Sequence, residues 1–87
     1  MLQDIAADES VGRILALMKV GADTTTRPEV MQVVDIFRAK IVDVGEKAVI
    51  IEVTGDEDKV AVIAQLLRPY GVKELVQTGK IAMVRSR

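Results

Sequence analysis

Cysteine, histidine, tryptophan and asparagine are all missing from the sequence. Without cysteine there is no disulfide framework, which suits a reducing compartment. Without cysteine and histidine there is no Cys-His pair, no Ser-His-Asp triad, and no imidazole or thiolate metal site. The only serines, Ser10 and Ser86, lie near the two ends of the chain. Aromatic residues are limited to Phe37 and Tyr70. A base-stacking RNA module, which needs aromatics on its central strands, is therefore a poor fit. The glycines Gly21, Gly45, Gly55, Gly71 and Gly79 stand singly, so no phosphate-cradling loop is present. No apolar run approaches the length of a membrane span, and Met1-Leu2-Gln3-Asp4 lacks the basic flank and apolar core of a secretory signal. The formal net charge of -1 gives no global attraction to nucleic acid or to an acidic membrane, so neither is expected as a partner.

What is present describes one small globular domain. The chain has 87 residues, 49% of them hydrophobic and 29% charged, with no length to spare for a second domain. A domain of this size buries only about 60% of the surface that its unfolded chain exposes, so it gains from a partner surface. Residues 1–12 carry Asp4, Asp8 and Glu9 without a sustained period and read as a mobile lead-in; residues 13–87 read as the folded domain. After Lys59 the basic residues Arg68, Lys73, Lys80, Arg85 and Arg87 face a single acid, Glu74, a balance that reads as a solvated edge with a short basic tail.

From Arg13 to Val20 apolar residues nearly fill both faces of an extended segment, which predicts a central strand. Thr26-Arg27-Pro28-Glu29 fits a capping box with proline in the first turn. Val30, Val33, Val34 and Phe37 then follow at helical spacing, with Glu29, Gln32, Asp35 and Arg38 on the wet side. Lys40 to Val44 and Ala48 to Thr54 read as strands joined through Gly45-Glu46-Lys47. Thr54 or Asp56 caps a second helix, and Asp56-Glu57-Asp58 places carboxylates where first-turn amides and the helix dipole favour them. Those acids need no metal to explain them. Val60, Ile63, Ala64 and Leu67 form the inward stripe of that helix, which Pro69 and Gly71 stop. Val72 to Gln77 reads as a short extended or irregular connector, Thr78-Gly79 as a turn, and Lys80 to Arg85 as the last strand, antiparallel to the first.

The order strand, helix, strand, strand, helix, strand predicts an α+β fold. It is a ferredoxin-like βαββαβ two-layer sandwich, ACT-like, with two helices on one face of an antiparallel four-stranded sheet. Right-handed crossovers place the first and third strands in the centre. The opposite face is then open and carries Leu15, Leu17, Ile50 and one row from Lys40 to Val44. An apolar face of several hundred Å² is uncommon on a monomer, so a homodimer or a subunit contact is expected.

Four blocks carry a more specific likeness: Leu15-Ala16-Leu17-Met18-Lys19-Val20, Val34-Asp35-Ile36-Phe37-Arg38-Ala39-Lys40, Thr54-Gly55-Asp56, and the run from Leu66 to Arg85 through Pro69-Tyr70-Gly71. In order and approximate spacing they resemble the C-terminal domain of the regulatory (small) subunit of acetolactate synthase, also called acetohydroxyacid synthase. The resemblance covers roughly residues 13 to 86. It implies a domain with no catalytic residues and no cofactor of its own. The thiamine diphosphate, flavin and magnesium of that enzyme sit on the large catalytic subunit, which condenses two pyruvates, or pyruvate with 2-ketobutyrate, in branched-chain amino-acid synthesis. It also implies that the domain works on that subunit, supporting activation and feedback control, usually by valine. In the family the valine site lies in an N-terminal ACT domain that this sequence does not contain, so no valine-binding residue carries over. The implied location is the cytoplasm, or a plastid or mitochondrion in a eukaryote.

Candidate partner-contact residues are Arg68, Tyr70, Lys73 and Glu74, read as a polar rim around Pro69 at the exit of the second helix. Ordinary solvated side chains beside a packed turn account for the same residues. A second reading of the chain is a stand-alone ACT-like sensor that binds an amino acid or nucleotide at a dimer interface.

Overall fold

The computed structural model describes residues 10–79 and 81–84, with side chains described from Gly12 to Gly79. Strand β1, Ser10–Gly21, is the axis of the fold. Its even-numbered residues Ile14, Ala16, Met18 and Val20 are buried under the helices, and Leu15 and Leu17 emerge on the other side. Helix α1 (Arg27–Ile36), strands β2 (Lys40–Val44) and β3 (Ala48–Gly55), helix α2 (Glu57–Leu67), a 3-10 turn (Arg68–Tyr70), and strands β4 (Val72–Gln77) and β5 (Ile81–Val84) follow.

The sheet runs β2-β3-β1-β4, and β5 also pairs with β1. Each of these pairings is antiparallel. As expected, β1 and β3 occupy the centre. The expected last strand needs correction. The fourth strand of the sandwich is β4, over the residues read as a connector, and it pairs with β1 from Ala16 to Val20. Ile81–Val84, inside the run expected to be that strand, does lie antiparallel to β1, but against its beginning, from Ser10 to Arg13. The strand therefore starts within the stretch read as a lead-in; residues 1–9 of that stretch, together with Lys80 and Arg85, lie outside the described residues. The connector reading failed because six alternating residues flanked by Gly71 and Gly79 are as short as a loop, and only tertiary pairing decides between the two.

The helices cover one face. Val30 and Val34 of α1 and Val60, Ile63 and Leu67 of α2 are buried against Met18, Val20, Val49, Ile51 and Val53. Met31, Val33, Phe37, Ala64 and Tyr70 pack around that cluster. Each large side chain fully buried contributes about 1.5–3 kcal/mol, so these two stripes set the orientation of the helices. No polar or charged residue is buried among those described.

Helix α2 starts as expected, with Asp56 Oδ1 accepting from the Lys59 amide at 2.8 Å. Helix α1 does not use the expected capping box, because Thr26 makes no side-chain cap bond. Asp23 takes that role one turn earlier: its Oδ1 accepts from the amides of Thr25 (2.9 Å) and Thr26 (2.8 Å). The Thr26 hydroxyl oxygen turns back to accept from the Asp23 amide at 3.2 Å. An Asx turn has thus displaced the box, since a carboxylate reaching two amides outweighs a hydroxyl reaching one. At its other end α1 closes with Arg38 in the left-handed region (φ 55°), the Ala39 amide donating to Val34 O at 2.9 Å and the Arg38 amide to Asp35 O at 3.2 Å. These are the two bonds of a Schellman motif, formed here without glycine.

The loop end of the molecule is stitched by backbone acceptors. Arg27 Nη2 donates to the carbonyls of Ala22 (3.0 Å), Gly45 (2.6 Å) and Glu46 (3.2 Å), tying the start of α1 to the β2–β3 turn. Its Nε is enclosed without a protein partner. The Ala22 amide reaches Lys47 O, and the Gly21 amide reaches Gly71 O, both at 2.9 Å. Gly21 is needed there: a Cβ would meet the Tyr70 carbonyl oxygen at 2.5 Å.

Candidate functional site

The four rim candidates do not converge. Arg68 is exposed on the 3-10 turn, while Tyr70 is half-buried against the core. Tyr70 and Lys73 line one cleft of about 350 Å³ together with Gly21, Ala22, Asp23, Thr26 and Lys47. Glu74 lies on the opposite side of the sheet, across the strand pair from Lys19. The strand character of β4 explains the separation, since successive residues of a strand point to opposite faces.

Within the cleft the electrostatics favour a settled structure over a reactive one. The Thr26 amide is the main cause holding the Asp23 carboxyl below its ordinary range, with the Thr26 hydroxyl, the Thr25 amide and the Arg27 charge adding to it and desolvation opposing. Desolvation raises the Tyr70 hydroxyl, and the charge of Glu29 and a hydrogen bond to it add to the shift. Neither group is drawn toward neutral pH, where a general acid or base works best. No cluster of three or more potential metal ligands occurs among the described residues. No described helix is long and apolar enough to cross a membrane.

The larger feature is the open sheet face. Leu15 (37% exposed), Leu17 (39%), Val42 (51%) and Val76 (66%) lie on it with half-buried Ile50. The registers fix their neighbours: Leu17 lies between Glu52 and Val76, and Lys19 lies between Ile50 and Glu74. Lys40 is opposite Glu52, and a bulge between Ile41 and Asp43 adds Val42 beside Ile50. Leu15, Leu17 and Ile50 are on the face as expected from alternation. Val76 was missed because its strand was read as a connector; it shares the open face with Glu74, while a bulge beside Lys19 turns Val72 back to the core with Val20. A second apolar groove, of about 420 Å³, runs between α2 and β4 and is lined by Ile14, Val60, Ala61, Ala64 and Leu75, with Glu57 and Gln77 at its rim.

Comparison with known proteins gives this fold and surface a context. The family model described as the small subunit of acetolactate synthase matches residues 13–86. The chain belongs to the acetolactate synthase small-subunit family. Within that family it corresponds to the C-terminal region of the subunit. A curated relative from Archaeoglobus fulgidus, named "Probable acetolactate synthase small subunit", is 54% identical over 78 residues, which are 90% of this chain and 49% of the relative. The acetolactate synthase small subunit 2, chloroplastic, of Arabidopsis thaliana is 46% identical over 86 residues, 99% of this chain and 18% of that protein. The crystal structure of the acetolactate synthase small subunit from Thermotoga maritima superposes with a TM-score of 0.89 at 40% identity, covering 97% of this chain and 52% of that one. This chain therefore spans about half the length, or less, of the small subunits that it matches. The ferredoxin-like arrangement of strands and helices is that of a small-subunit structure.

Proposed function

We propose that the chain is a non-catalytic regulatory domain that acts on the catalytic (large) subunit of acetolactate synthase, supporting its activation and feedback control in the synthesis of valine, leucine and isoleucine. Membership of the small-subunit family over residues 13–86 carries this reading. The lack of histidine and cysteine supports the absence of chemistry of its own. The open apolar face supports a protein partner, and the reading includes self-association of the domain as a homodimer. Arg68, Tyr70, Lys73 and Glu74 are its contact residues for the catalytic subunit, arranged as two patches, one on each side of the sheet edge. The domain works in the cytoplasm, or in an organelle such as a plastid in a eukaryote.

The test is reconstitution. The purified chain alone turns over no pyruvate, and adding it to a cognate catalytic subunit raises the rate of acetolactate formation. A mixture with an unchanged rate and no co-migration on gel filtration would sink the proposal. Arg68→Glu combined with Lys73→Glu lowers the activation; full activation by that variant removes the patches from the account. Calorimetric titration of the isolated chain with valine gives no tight stoichiometric binding, and a tight isotherm would place an effector site where this reading has none.

A further inference from the structure

We propose that the outer edge of β4 receives an extended segment of the partner protein, added antiparallel as a further strand, with one aliphatic side chain seated in the groove between α2 and β4. The proposal rests on the reading above that the chain acts on a catalytic subunit. It adds the edge used and the chemistry of the segment that fits it.

The two edges of the sheet are not alike. In β2 the bulge between Ile41 and Asp43 interrupts the ladder, a device that blunts an edge against further pairing. In β4 the irregularity is confined to the first residues, opposite Lys19 and Val20, and from Glu74 to Gln77 the register is continuous. Among the described residues no strand pairs with the far side of β4. Both ends of that strand are held from the inner side. The Gly21 amide donates to Gly71 O at 2.9 Å, the Thr78 amide to Leu15 O at 2.9 Å, and the Leu15 amide to Thr78 Oγ1 at 3.1 Å. The edge is therefore ordered before anything binds to it, which spares an incoming strand that entropy cost.

The Thr78 bond also sets the phase of the ladder. Bonded and non-bonded residues alternate in antiparallel pairing, so Val76 and Glu74, in step with Thr78, turn their N–H and C=O groups inward to β1. Leu75 and Gln77 turn theirs outward. These two lie opposite Met18 and Ala16, on the helix side of the sheet, and both line the groove of about 420 Å³. The residues that offer free main-chain groups are thus the ones that border an apolar slot. Leu75 is 46% exposed although Met18 beside it is fully buried, because α2 stops short of the edge. Ala61 and Ala64, on the flank of α2 turned to β4, keep the slot open because their side chains end at Cβ. An incoming residue opposite Leu75 exchanges two hydrogen bonds with it and lays its side chain in the slot beside Ala61; the residue opposite Gln77 exchanges two more.

Charge selects the rest of the segment. Glu57 borders the slot at the Gln77 end, and Lys73 stands at the other end of β4 on the helix side. On the open face the edge shows Val76, 66% exposed, and then Glu74. From its N-terminal end, passing Gln77 to Lys73 in turn, an antiparallel segment therefore reads basic, apolar, apolar, basic, acidic. Lys73 and Glu74, assigned above to patches on the two sides of this edge, would flank the same strand.

Amide exchange, quenched and read residue by residue by NMR, tests the proposal on the 87-residue chain and on its complex with a cognate catalytic subunit. In the free chain the Leu75 and Gln77 amides exchange fast while those of Glu74 and Val76 are protected, and in the complex the first two slow by roughly tenfold or more. Gln77→Pro removes an outward donor and no bond to β1; Ala61→Lys fills the slot from an exposed helix position. Each weakens the complex on the order of tenfold and leaves the circular dichroism spectrum unchanged. A synthetic peptide containing lysine, valine, valine, lysine and glutamate in that order shifts the Leu75 and Gln77 amide signals of the free chain in a saturable titration. N-methylation of the first and third residues of that run abolishes the shift. Full-strength binding of both variants to the catalytic subunit, with Leu75 and Gln77 still exchanging fast, overturns the edge and leaves the regulatory reading standing. A chain that takes up the peptide but no catalytic subunit supports the edge and ends that reading; one that takes up neither ends both. Protection of Leu75 and Gln77 that grows with the concentration of the free chain makes a second copy the occupant and overturns the proposal.

Discussion

Replacing Gly21 by alanine puts a methyl group where the fold has none to spare. The new Cβ lies 2.5 Å from the Tyr70 carbonyl oxygen, inside the 3.0 Å that such contacts essentially never breach. The obstructing atom is backbone, so no rotamer change relieves it. The Tyr70–Gly71 segment must move away from β1, which strains the 2.9 Å bond from the Gly21 amide to Gly71 O and the Val20–Val72 pairing next to it. Overpacking of this kind costs about 1–3 kcal/mol, and losing the hydrogen bond adds about 1 kcal/mol. A loss of about 2–4 kcal/mol is a large fraction of the stability of so small a domain, and it lowers the melting temperature by roughly 8 °C or more. Gly79→Ala is the control, because nothing lies within 4 Å of a Cβ at that position. Urea unfolding followed by far-ultraviolet circular dichroism at one fixed protein concentration reads both variants. If Gly21→Ala unfolds at the same urea concentration as Gly79→Ala, the close approach of the Tyr70 carbonyl has no energetic weight and the reasoning fails.

Other perturbations test the helix ends and the cleft. Asp56→Ala removes the acceptor of the Lys59 amide and lowers stability by about 1 kcal/mol in the same urea assay. Arg38→Gly relieves a left-handed side-chain residue at the end of α1 and raises stability by roughly 0.5–1 kcal/mol; a loss would mean that the Arg38 side chain holds something else in place. Asp23 has its folded pKa below the ordinary 3.8, so its contribution is present above that value and is lost as pH falls through the folded pKa. The stability difference between wild type and Asp23→Asn is therefore seen at pH 7 and closes in acid, which urea melts across the acidic range will follow. A thermal-shift panel of branched-chain amino acids and adenine nucleotides leaves the melting temperature unmoved, whereas a concentration-dependent rise would favour a sensor.

The core was legible in the sequence because burial follows period. Val30 and Val34 on one helix, Val60, Ile63 and Leu67 on the other, and Val49, Ile51 and Val53 on a strand repeat at 3.6 or 2 residues, and each is buried. The Asp56 cap was legible for a similar reason, since it depends on neighbours within one turn. Features settled at longer range were not. β4 exists because β1 offers it an edge, and no local signal in Val72-Lys73-Glu74-Leu75-Val76-Gln77 separates that strand from a connector. Asp23 and Thr26 offer rival ways to start the helix, through different amides, and the one used depends on how the chain leaves β1. The rim of Arg68, Tyr70, Lys73 and Glu74 was drawn from adjacency in sequence, and strand alternation sends Lys73 and Glu74 to different sides. Arg27 gave no advance sign of its role, because its acceptors are carbonyls, which every residue carries.

That last property gives the β2–β3 turn an unusual latitude. Arg27 grips the peptide groups of Gly45 and Glu46 and ignores their side chains. The anchorage is thus indifferent to the side chain at Glu46, whereas Gly45 keeps its place because a Cβ there would come within 3.3 Å of the Ala48 carbonyl oxygen. Evolution or an engineer can rewrite the exposed tip, including the charge on Glu46 and Lys47, without loosening the start of α1.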